Sequence, residues 1–172
     1  MAAASIFLSI PGVKGPSLDS KHPDTIECLS FTWGAANAGS SGVGTGAGSG
    51  TSVAHDLTIT KLVDTASNVL MQSCGNGKHF DTATLFVTKT TGGDPMDYMQ
   101  FDMGSGSAPT KGKAAVFISS YHVSGSGDGI TPIETVGINF ASLMITYTPQ
   151  SADGTAGAPA ALGHDFHANK SF

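Results

Sequence analysis

The sequence is poor in charged residues, which make up 12% of its 172 positions, about half the share found in an average soluble protein. The net charge is −5, and no run of basic residues forms the positive patch that a nucleic-acid partner requires. No apolar stretch reaches the roughly 18 residues of a membrane-spanning helix. These absences argue against nucleic-acid binding and against insertion in a membrane.

The first residues also lack the basic and apolar regions of a conventional signal peptide, because a predicted strand begins at Ser5. By this criterion alone we expect a cytoplasmic protein. The only two cysteines, Cys28 and Cys74, match no metal-binding spacing. Buried free thiols are the first interpretation, and a single disulfide is the alternative.

Catalytic motifs are missing as well. The glycine-rich run 34–50 fits neither G-x-G-x-x-G nor a phosphate-binding P-loop, and no serine lies in G-x-S-x-G. His164 and His167 have a spacing that metal ligands can use, but their Gly/Ala/Pro-rich surroundings favour ordinary surface histidines. Asp94, Asp97 and Asp102 are interpreted as turn and strand-edge residues rather than as an acid/base pair. We therefore predict no enzyme, no cofactor and no metal site.

What the sequence does contain is a series of segments with the two-residue alternation of β-strands. Strands are predicted at 5–10, 26–33, 53–61, 82–90, 97–103, 114–123 and 134–149. Apolar parity in the last segment changes near Ala141-Ser142, which predicts a bulge, a kink or a hairpin. The sum favours a mainly β sandwich or barrel.

One amphipathic helix of about ten residues is predicted on the flank of this domain. Asp64-Thr65 can cap it, and Gly75-Asn76-Gly77 should end it. Its buried stripe consists of Ala66, Val69, Leu70 and Cys74. Residues 1–150 form the single domain, and 151–172 are expected to be a C-terminal tail that is disordered unless it docks.

The predicted strand 26–33 has two unlike faces. Leu29, Phe31 and Trp33 form a bulky face, which we assign to the core; Trp33 is thus a core residue rather than a ligand platform. The opposite face is small and polar, and consists of Cys28, Ser30 and Thr32.

The run from Gly34 to Gly50 that follows this strand, here called the arm, contains almost only Gly, Ala, Ser and Thr. It cannot form a core, because Val43 is its only large apolar residue and its glycines are costly to order. It is also longer than most connections inside a domain, and such loops are functional or disordered.

The order of these features resembles the Hcp family (haemolysin-coregulated proteins), the tube protein of bacterial type VI secretion. The residues that carry the resemblance span nearly the whole chain: Gly12-Val13-Lys14-Gly15, His22, Trp33-Gly34, the arm, Asp56-Leu57, Thr60-Lys61, Asp64, Leu70, Cys74, Gly77-Lys78-His79, Asn139-Phe140-Ala141, Tyr147-Thr148-Pro149-Gln150 and Ala152-Asp153-Gly154.

The resemblance implies a two-sheet β-barrel with a short helix on its side, assembled as a hexameric ring with a central pore. Rings would stack into a tube that is fired with a VgrG-like spike protein inside a contractile sheath, and small effectors would travel in the lumen. The protein would be cytoplasmic first and then secreted without a cleaved signal. The alternative is a ring protein like a phage tail tube, without a secretion role.

Two departures from the family pattern are visible. Pro11 and Pro16 interrupt the first loop, where relatives usually have a polar residue. Near the C-terminus the pattern Gly-Trp-Asn is replaced by Gly163-His164-Asp165-Phe166.

In such a ring we predict that Cys28, Ser30 and Thr32 line the pore, with simple exposure to solvent as the alternative. The arm is predicted to contact the adjacent subunit or the next ring, with a disordered hairpin loop as the alternative. Its candidate assembly residues are Gly39, Gly42, Gly44, Gly46, Gly48 and Gly50.

Overall fold

Two antiparallel sheets contain most of the strands of the computed structural model, which describes residues 4–39, 50–89, 95–104, 115–151 and 154–172. The elements in chain order are β1 (Ala4–Ser9), β2 (Ile26–Cys28), β3 (Ser30–Thr32), β4 (Ala35–Asn37), β5 (Ser52–Ala54), β6 (Leu57–Leu62), α1 (Ser67–Asn76), β7 (His79–Phe80), β8 (Ala83–Lys89), β9 (Met96–Met103), β10 (Val116–Ser124), β11 (Ile133–Phe140), β12 (Ser142–Tyr147), β13 (Ala160–Asp165) and β14 (Lys170–Ser171).

The larger sheet has seven strands in the order β14-β13-β12-β9-β8-β1-β2, and the second has five in the order β3-β6-β11-β10-β7. Strands β4 and β5 form a separate two-stranded hairpin. Apolar side chains from the facing sides of both sheets make one core, which includes Leu8, Leu85, Ile59 and Ile138. The predicted mainly β architecture with a short flanking helix is confirmed.

The prediction of a single strand over 26–33 is wrong. The chain breaks at Leu29, so that β2 belongs to the seven-stranded sheet and β3 to the five-stranded sheet. The Leu29 amide donates to the Thr60 carbonyl at 2.7 Å as the chain crosses over, which resets the alternation. Leu29 is therefore 56% exposed rather than in the core, whereas Phe31 and Trp33 pack against the core as partly buried residues.

Two other predicted strands also divide. The segment 53–61 becomes β5 and β6, which are separated by His55 and Asp56. The segment 134–149 becomes β11 and β12, joined through Ala141 and placed in different sheets. The predicted change of apolar parity at Ala141-Ser142 is thus a kink at which the chain passes from one sheet to the other. The core lies between the two sheets, so the side chains that face it change parity at this point.

Helix α1 confirms the predicted amphipathic helix. Ala66 and Leu70 are fully buried, and Val69 and Cys74 pack against the core. The predicted cap at Asp64-Thr65 is wrong, because the N-cap residue is Ala66 and no side chain caps the helix. The Asp64 carboxylate instead accepts a hydrogen bond from the Ala66 amide at 2.8 Å, in the turn before α1. Gly77 ends the helix with φ +65°, a conformation that side chains with a Cβ rarely adopt. No helix among the described residues is long and apolar enough to cross a membrane.

The C-terminal residues dock on the larger sheet. Strand β13 pairs with β12 from Ser142↔Asp165 to Tyr147↔Ala160, and β14 pairs with β13. The last residue, Phe172, exchanges two backbone hydrogen bonds with Gly163, both at 3.0 Å. A Cβ at Gly163 would collide with the Phe172 ring, so glycine at this position permits the docking.

Candidate assembly surfaces

The central part of the outer face of the five-stranded sheet is covered mainly by short hydroxyl side chains, and is called here the hydroxyl face. Leu62 and Ile133 lie at one end of it and Phe117 and His79 at the other. The side chains of β6 alternate between the core and this face, because Leu57 and Ile59 are buried while Thr58 and Thr60 are partly exposed. Cross-strand pairing places these residues in two rows. The rows are Ser30, Thr60, Thr135 and His122, and Thr32, Thr58, Gly137 and Ser120.

A shift in register between Ile118 and Ser120 brings extra hydroxyl groups to the hydroxyl face. Gly137 makes room for them, since a Cβ there would collide with Ser120 Oγ and approach Ser119 Oγ to 2.9 Å. Ser119 Oγ donates to the Asp56 carboxylate at 2.5 Å, and Asn139 Nδ2 donates to it at 2.7 Å. The Asp56 carboxylate is therefore held in fixed hydrogen bonds at the end of the face.

The charged residues of these strands point to the other side, into a buried cluster next to α1. Lys61 and Glu134 are directly paired across β6 and β11, both fully buried, with Lys61 Nζ 2.7 Å from Glu134 Oε2. Lys61 Nζ also lies 3.0 Å from Asp64 Oδ1 and donates to Ser67 Oγ at 3.2 Å. Tyr121 donates its hydroxyl to Glu134 Oε1. The cluster joins β6, β10 and β11 to the start of α1.

The pKa values of this cluster follow from burial and hydrogen bonding. Burial alone would raise the pKa of Glu134, but hydrogen bonds from Lys61, Tyr121 and Ser67 outweigh it and hold the pKa below its usual value. Burial, followed by the bond to the Glu134 carboxylate, raises the pKa of Tyr121 to about 12. Glu134 is therefore an ionised acceptor and Tyr121 a neutral donor at neutral pH.

The loop between β1 and β2 packs on the outer face of the seven-stranded sheet over β1, β8 and β9. His22 of this loop is buried against Phe7 and Phe86, with ring centroids 5.0 and 4.3 Å away. Its Nε2 lies 2.8 Å from Asp97 Oδ1, and Lys21 Nζ lies 2.9 Å from Asp97 Oδ2. Asp97 and Lys21 thus form an ion pair on this face, whereas the two rows of the hydroxyl face contain no Lys, Arg, Asp or Glu.

The base of the arm is the β4–β5 hairpin, which pairs Ala35↔Ala54, Ala36↔Val53 and Asn37↔Ser52. Gly39 and Gly50 lie side by side at its upper end, and a Cβ at Gly50 would collide with the Gly39 nitrogen. Ser52 Oγ lies 2.9 Å from Nε2 of His164 on β13. The arm base thus contacts the C-terminal strands.

Comparison with known proteins decides the family. A family model described as "Type VI secretion system effector, Hcp" matches residues 7–147. The chain is 33% identical to Protein hcp1 of Pseudomonas aeruginosa strain PAO1 over 168 residues, which cover 97% of this chain and 98% of that protein. The chain belongs to the Hcp family. The family resemblance inferred from the sequence is confirmed.

Solved structures agree with this assignment. A structure described as that of a type six secretion system protein has a TM-score of 0.85 at 30% identity, and covers 99% of this chain and 100% of its own. Hcp1 from Salmonella typhimurium has a TM-score of 0.76 at 29% identity, and the match covers both chains completely. The sandwich described above is therefore the Hcp fold.

The three residues predicted to line a pore in this Hcp chain do not share one surface. Ser30 and Thr32 are exposed on the hydroxyl face, whereas Cys28 lies on β2 of the other sheet, packed against the core. Burial raises the pKa of the Cys28 thiol to about 12. Pore lining remains a prediction for Ser30 and Thr32, and the structure gives no support for Cys28 in that role. Cys28 and Cys74 are both free thiols.

Of the predicted assembly glycines, Gly39 and Gly50 are in the arm base, and Gly42, Gly44, Gly46 and Gly48 lie outside the described residues. Within the described ranges, no three His, Cys, Asp or Glu residues are grouped so as to hold a metal ion.

Sequence reasoning missed the partners of Lys61 and of His164. The burial of Lys61 could have been predicted, because Lys61 continues the buried alternation of Leu57 and Ile59. The contact of His164 could not, since its partner Ser52 is 112 positions away. Trp33, which was assigned to the core, is partly buried against Phe140 and Phe166.

Proposed function

We propose that this Hcp protein forms six-membered rings that stack into the inner tube of a type VI secretion system and carry small effector proteins in the pore. Its role is structural rather than catalytic. It leaves the cytoplasm without a cleaved signal, together with a VgrG-like spike and through the action of a contractile sheath. Ring size and these partners come from the family resemblance.

The observation that carries this proposal is the hydroxyl face. Its two rows present hydroxyl groups, one glycine and one histidine, while the Lys61–Glu134 pair of the same strands is turned inward. A face of short, uncharged polar groups stays hydrated and offers no strong binding site for a particular charge. Ser30 and Thr32 lie at the edge of this face, and such a wall would let varied proteins enter and leave.

The contact between neighbouring subunits of the ring is proposed to use the two edge strands of the five-stranded sheet. Its terminal strands, β3 and β7, each have one neighbour within the sheet among the described residues. The β3 edge of one subunit can pair with the β7 edge of the next. Such head-to-tail contacts close into a ring when the rotation between neighbouring subunits is a whole-number fraction of a full turn. A standard interface buries about 800 Å² per partner. Exposed apolar side chains close to the open end of the other sheet, Leu162 at 81% and Tyr147 at 49%, would add to it.

The arm is proposed to contact the adjacent subunit or the next ring. Its small uncharged residues can lie against a partner's backbone with little cost of desolvation. The β4–β5 hairpin at the base of the arm has exposed side chains along β4.

Negative-stain microscopy of the purified protein tests the ring directly. We expect annular particles with six-fold symmetry, and light scattering should give the mass of six chains. A monomer by both methods across a range of protein concentrations would contradict the proposal.

Thr32→Gln and Thr32→Trp test the pore assignment separately from folding. Rings should still form, and effector retention should fall because larger side chains narrow the lumen. The matched controls are Thr65→Gln and Thr65→Trp, since Thr65 is exposed beside α1 rather than on the hydroxyl face. Equal effector retention by intact Thr32 and Thr65 variant rings would reject the pore assignment.

Deletion of residues 40–50 tests the arm. Gly39 lies beside Gly50, the residue before Thr51, so joining Gly39 to Thr51 spans a short distance and should leave β4 and β5 paired. We expect folded rings that no longer stack. Normal tube formation by this variant would make the arm a spacer.

A further inference from the structure

The arm base and the C-terminal strands meet in a polar contact between distant parts of the sequence. Ser52 Oγ on β5 lies 2.9 Å from His164 Nε2 on β13 and 3.4 Å from the side-chain oxygen of Asn169. Ser52 and His164 are both partly buried. These contacts join β5, the strand that follows the arm, to β13 and to Asn169, the residue before the edge strand β14.

His164 is itself held from two sides. Its Nδ1 lies 3.1 Å from Ser171 Oγ on β14, so both ring nitrogens have hydroxyl partners. Its ring meets Phe166 edge-on, with centroids 4.9 Å apart at 67°. Phe166 in turn meets Trp33, 6.4 Å away at 62°. Trp33 directly precedes the arm and Ser52 follows it, so residues on both sides of the arm contact this cluster.

The β4–β5 hairpin needs such support. Each of its strands has three residues, and those of β4 are all exposed. A two-stranded hairpin is marginally stable at best in water, and Ala and Ser side chains bury little apolar surface. The hydrogen bond from the His55 amide to the Gly34 carbonyl, at 2.9 Å, closes its lower end. The contact between Ser52 and His164 fixes the hairpin against the larger sheet.

We propose that β13 and β14 act as a clasp on the arm, in which Ser171 orients His164 and His164 holds Ser52. The clasp fixes the base of the arm relative to the sandwich. The C-terminal residues 160–172 would then set the direction in which the arm is presented. That this direction matters for stacking rests on the proposed function.

Hydrogen–deuterium exchange of the intact chain tests the clasp. Ser52→Ala removes the hydroxyl, and His164→Phe removes both hydrogen bonds while keeping a ring against Phe166. In each variant the amides of 35–37, 52–54 and His55 should exchange about three- to tenfold faster, as expected for the loss of one hydrogen bond. The double variant should exchange more slowly than the product of the two single effects predicts, because after His164→Phe only the 3.4 Å contact of Ser52 with Asn169 is left to lose.

The matched control is His167→Phe. His167 lies in the turn between β13 and β14, is exposed, and is held there through its backbone nitrogen, which donates to Asp165. In the His167→Phe variant, the amides at the arm base should exchange at the same rate as in the unmodified chain. Unchanged exchange in His164→Phe, or additive effects of Ser52→Ala and His164→Phe, would overturn the clasp.

Tube formation separates the clasp from the role of the arm. If the clasp directs stacking, His164→Phe rings should stack less than His167→Phe rings. If the deletion of 40–50 leaves stacking intact, the proposed role of the arm fails while the exchange result still decides the clasp. If deletion abolishes stacking but His164→Phe, with faster exchange, stacks normally, the clasp does not set the direction of the arm.

Discussion

The outer faces of the two sheets differ in how they treat charge. On the five-stranded sheet the outer residues are mainly Ser and Thr, and the Lys61–Glu134 pair is buried on the inner side. On the seven-stranded sheet the outer face has Asp97, paired with Lys21 and His22, beneath a loop that packs on Phe7 and Phe86. The rows of the hydroxyl face contain no Lys, Arg, Asp or Glu, and the Asp56 carboxylate lies only at their end. The outer face of the other sheet is ionic where the loop packs on it.

This difference shows how alternation along a strand can be used to sort charge between two surfaces. A β-strand places successive side chains on opposite faces, so Thr60 and Lys61 are neighbours in sequence but face different environments. The inner charges are stabilised by mutual hydrogen bonds. The outer face then presents little that would hold a passing protein strongly, which fits the pore proposed above.

Breaking the buried pair should have the largest effect. Lys61→Ala leaves the Glu134 carboxylate buried without its cation, and we expect a loss of about 3–5 kcal/mol in the free energy of unfolding. Urea denaturation at a fixed protein concentration measures it. Lys14→Ala is the control, because the Lys14–Asp24 pair is 3.3 Å apart but has side chains 84% and 68% exposed. It should cost less than about 1 kcal/mol.

Replacing Lys61 and Glu134 together tests whether the loss in Lys61→Ala comes from the unpaired carboxylate. Lys61→Met combined with Glu134→Leu removes both charges together, and should recover most of the stability lost in Lys61→Ala. A double variant as unstable as Lys61→Ala would contradict the attribution to an unpaired buried charge.

Cysteine alkylation compares the two surfaces directly. The pKa of Cys28, raised to about 12 by burial, leaves little of the reactive thiolate at pH 8. In a Thr32→Cys variant, the new thiol on the hydroxyl face should react with iodoacetamide at least about a hundredfold faster than Cys28. Mass spectrometry of peptides assigns the label to each cysteine. Equal rates for the two thiols would place Cys28 on an accessible surface and restore it as a pore residue.

Removing the charge of Asp97 from the outer face of the seven-stranded sheet should have an intermediate effect. Asp97 accepts hydrogen bonds from Thr88 at 2.6 Å and from Lys21 and His22, so Asp97→Asn should cost about 1.5–3 kcal/mol at neutral pH. Thermal or urea unfolding measures the loss. Asp24→Asn, at an exposed carboxylate, is the control.

The pH dependence of this loss has a defined sign. Burial alone would raise the pKa of Asp97, but hydrogen bonds from Thr88, His22 and Lys21 lower it overall. The contribution is therefore present above the unfolded pKa of about 3.9 and is lost as pH falls through the lower folded pKa. The stability difference between the unmodified chain and Asp97→Asn should shrink below about pH 4. A difference that grows on acidification would contradict this.

Placing a charge on the hydroxyl face should have the smallest effect. In the proposed ring, Thr60→Glu puts six carboxylates around one pore, and we expect a severalfold lower yield of rings at low salt. The yield should recover at high salt, because ions screen the repulsion. Glu27→Thr on β2 makes the reverse change on an exposed residue of the other sheet, and should leave the yield unchanged. A Thr60→Glu yield independent of salt would remove this face from the pore.

Local patterns in the sequence were sufficient for the strand class, the helix and the family. The stripe through Ala66 and Leu70 predicted α1, and Gly77 predicted its end, because both depend on residues close in sequence. The change of parity at Ala141-Ser142 located a real kink. These features need no knowledge of what packs against them.

The rest depended on contacts between distant residues. The alternation of 26–33 is continuous in sequence, but the crossover at Leu29 is set by its bond to Thr60 in another strand, so Cys28 and Thr32 were wrongly assigned to one face. The C-terminal residues have little apolar content, and they dock mainly through pairing with β12. Where most side chains of a strand are exposed, as on β13 and β14, backbone pairing leaves no apolar alternation in the sequence.

Ala141 gives the sandwich a mechanical property. This residue alone separates β11 from β12, and it is bonded in both directions: its amide donates to the Ala115 carbonyl at 3.1 Å and its carbonyl accepts from the Phe166 amide at 2.9 Å. Two hydrogen bonds at this corner limit the change of angle between β11 and β12. In the proposed ring, a force on the sheet that faces the pore should therefore move the other sheet with it.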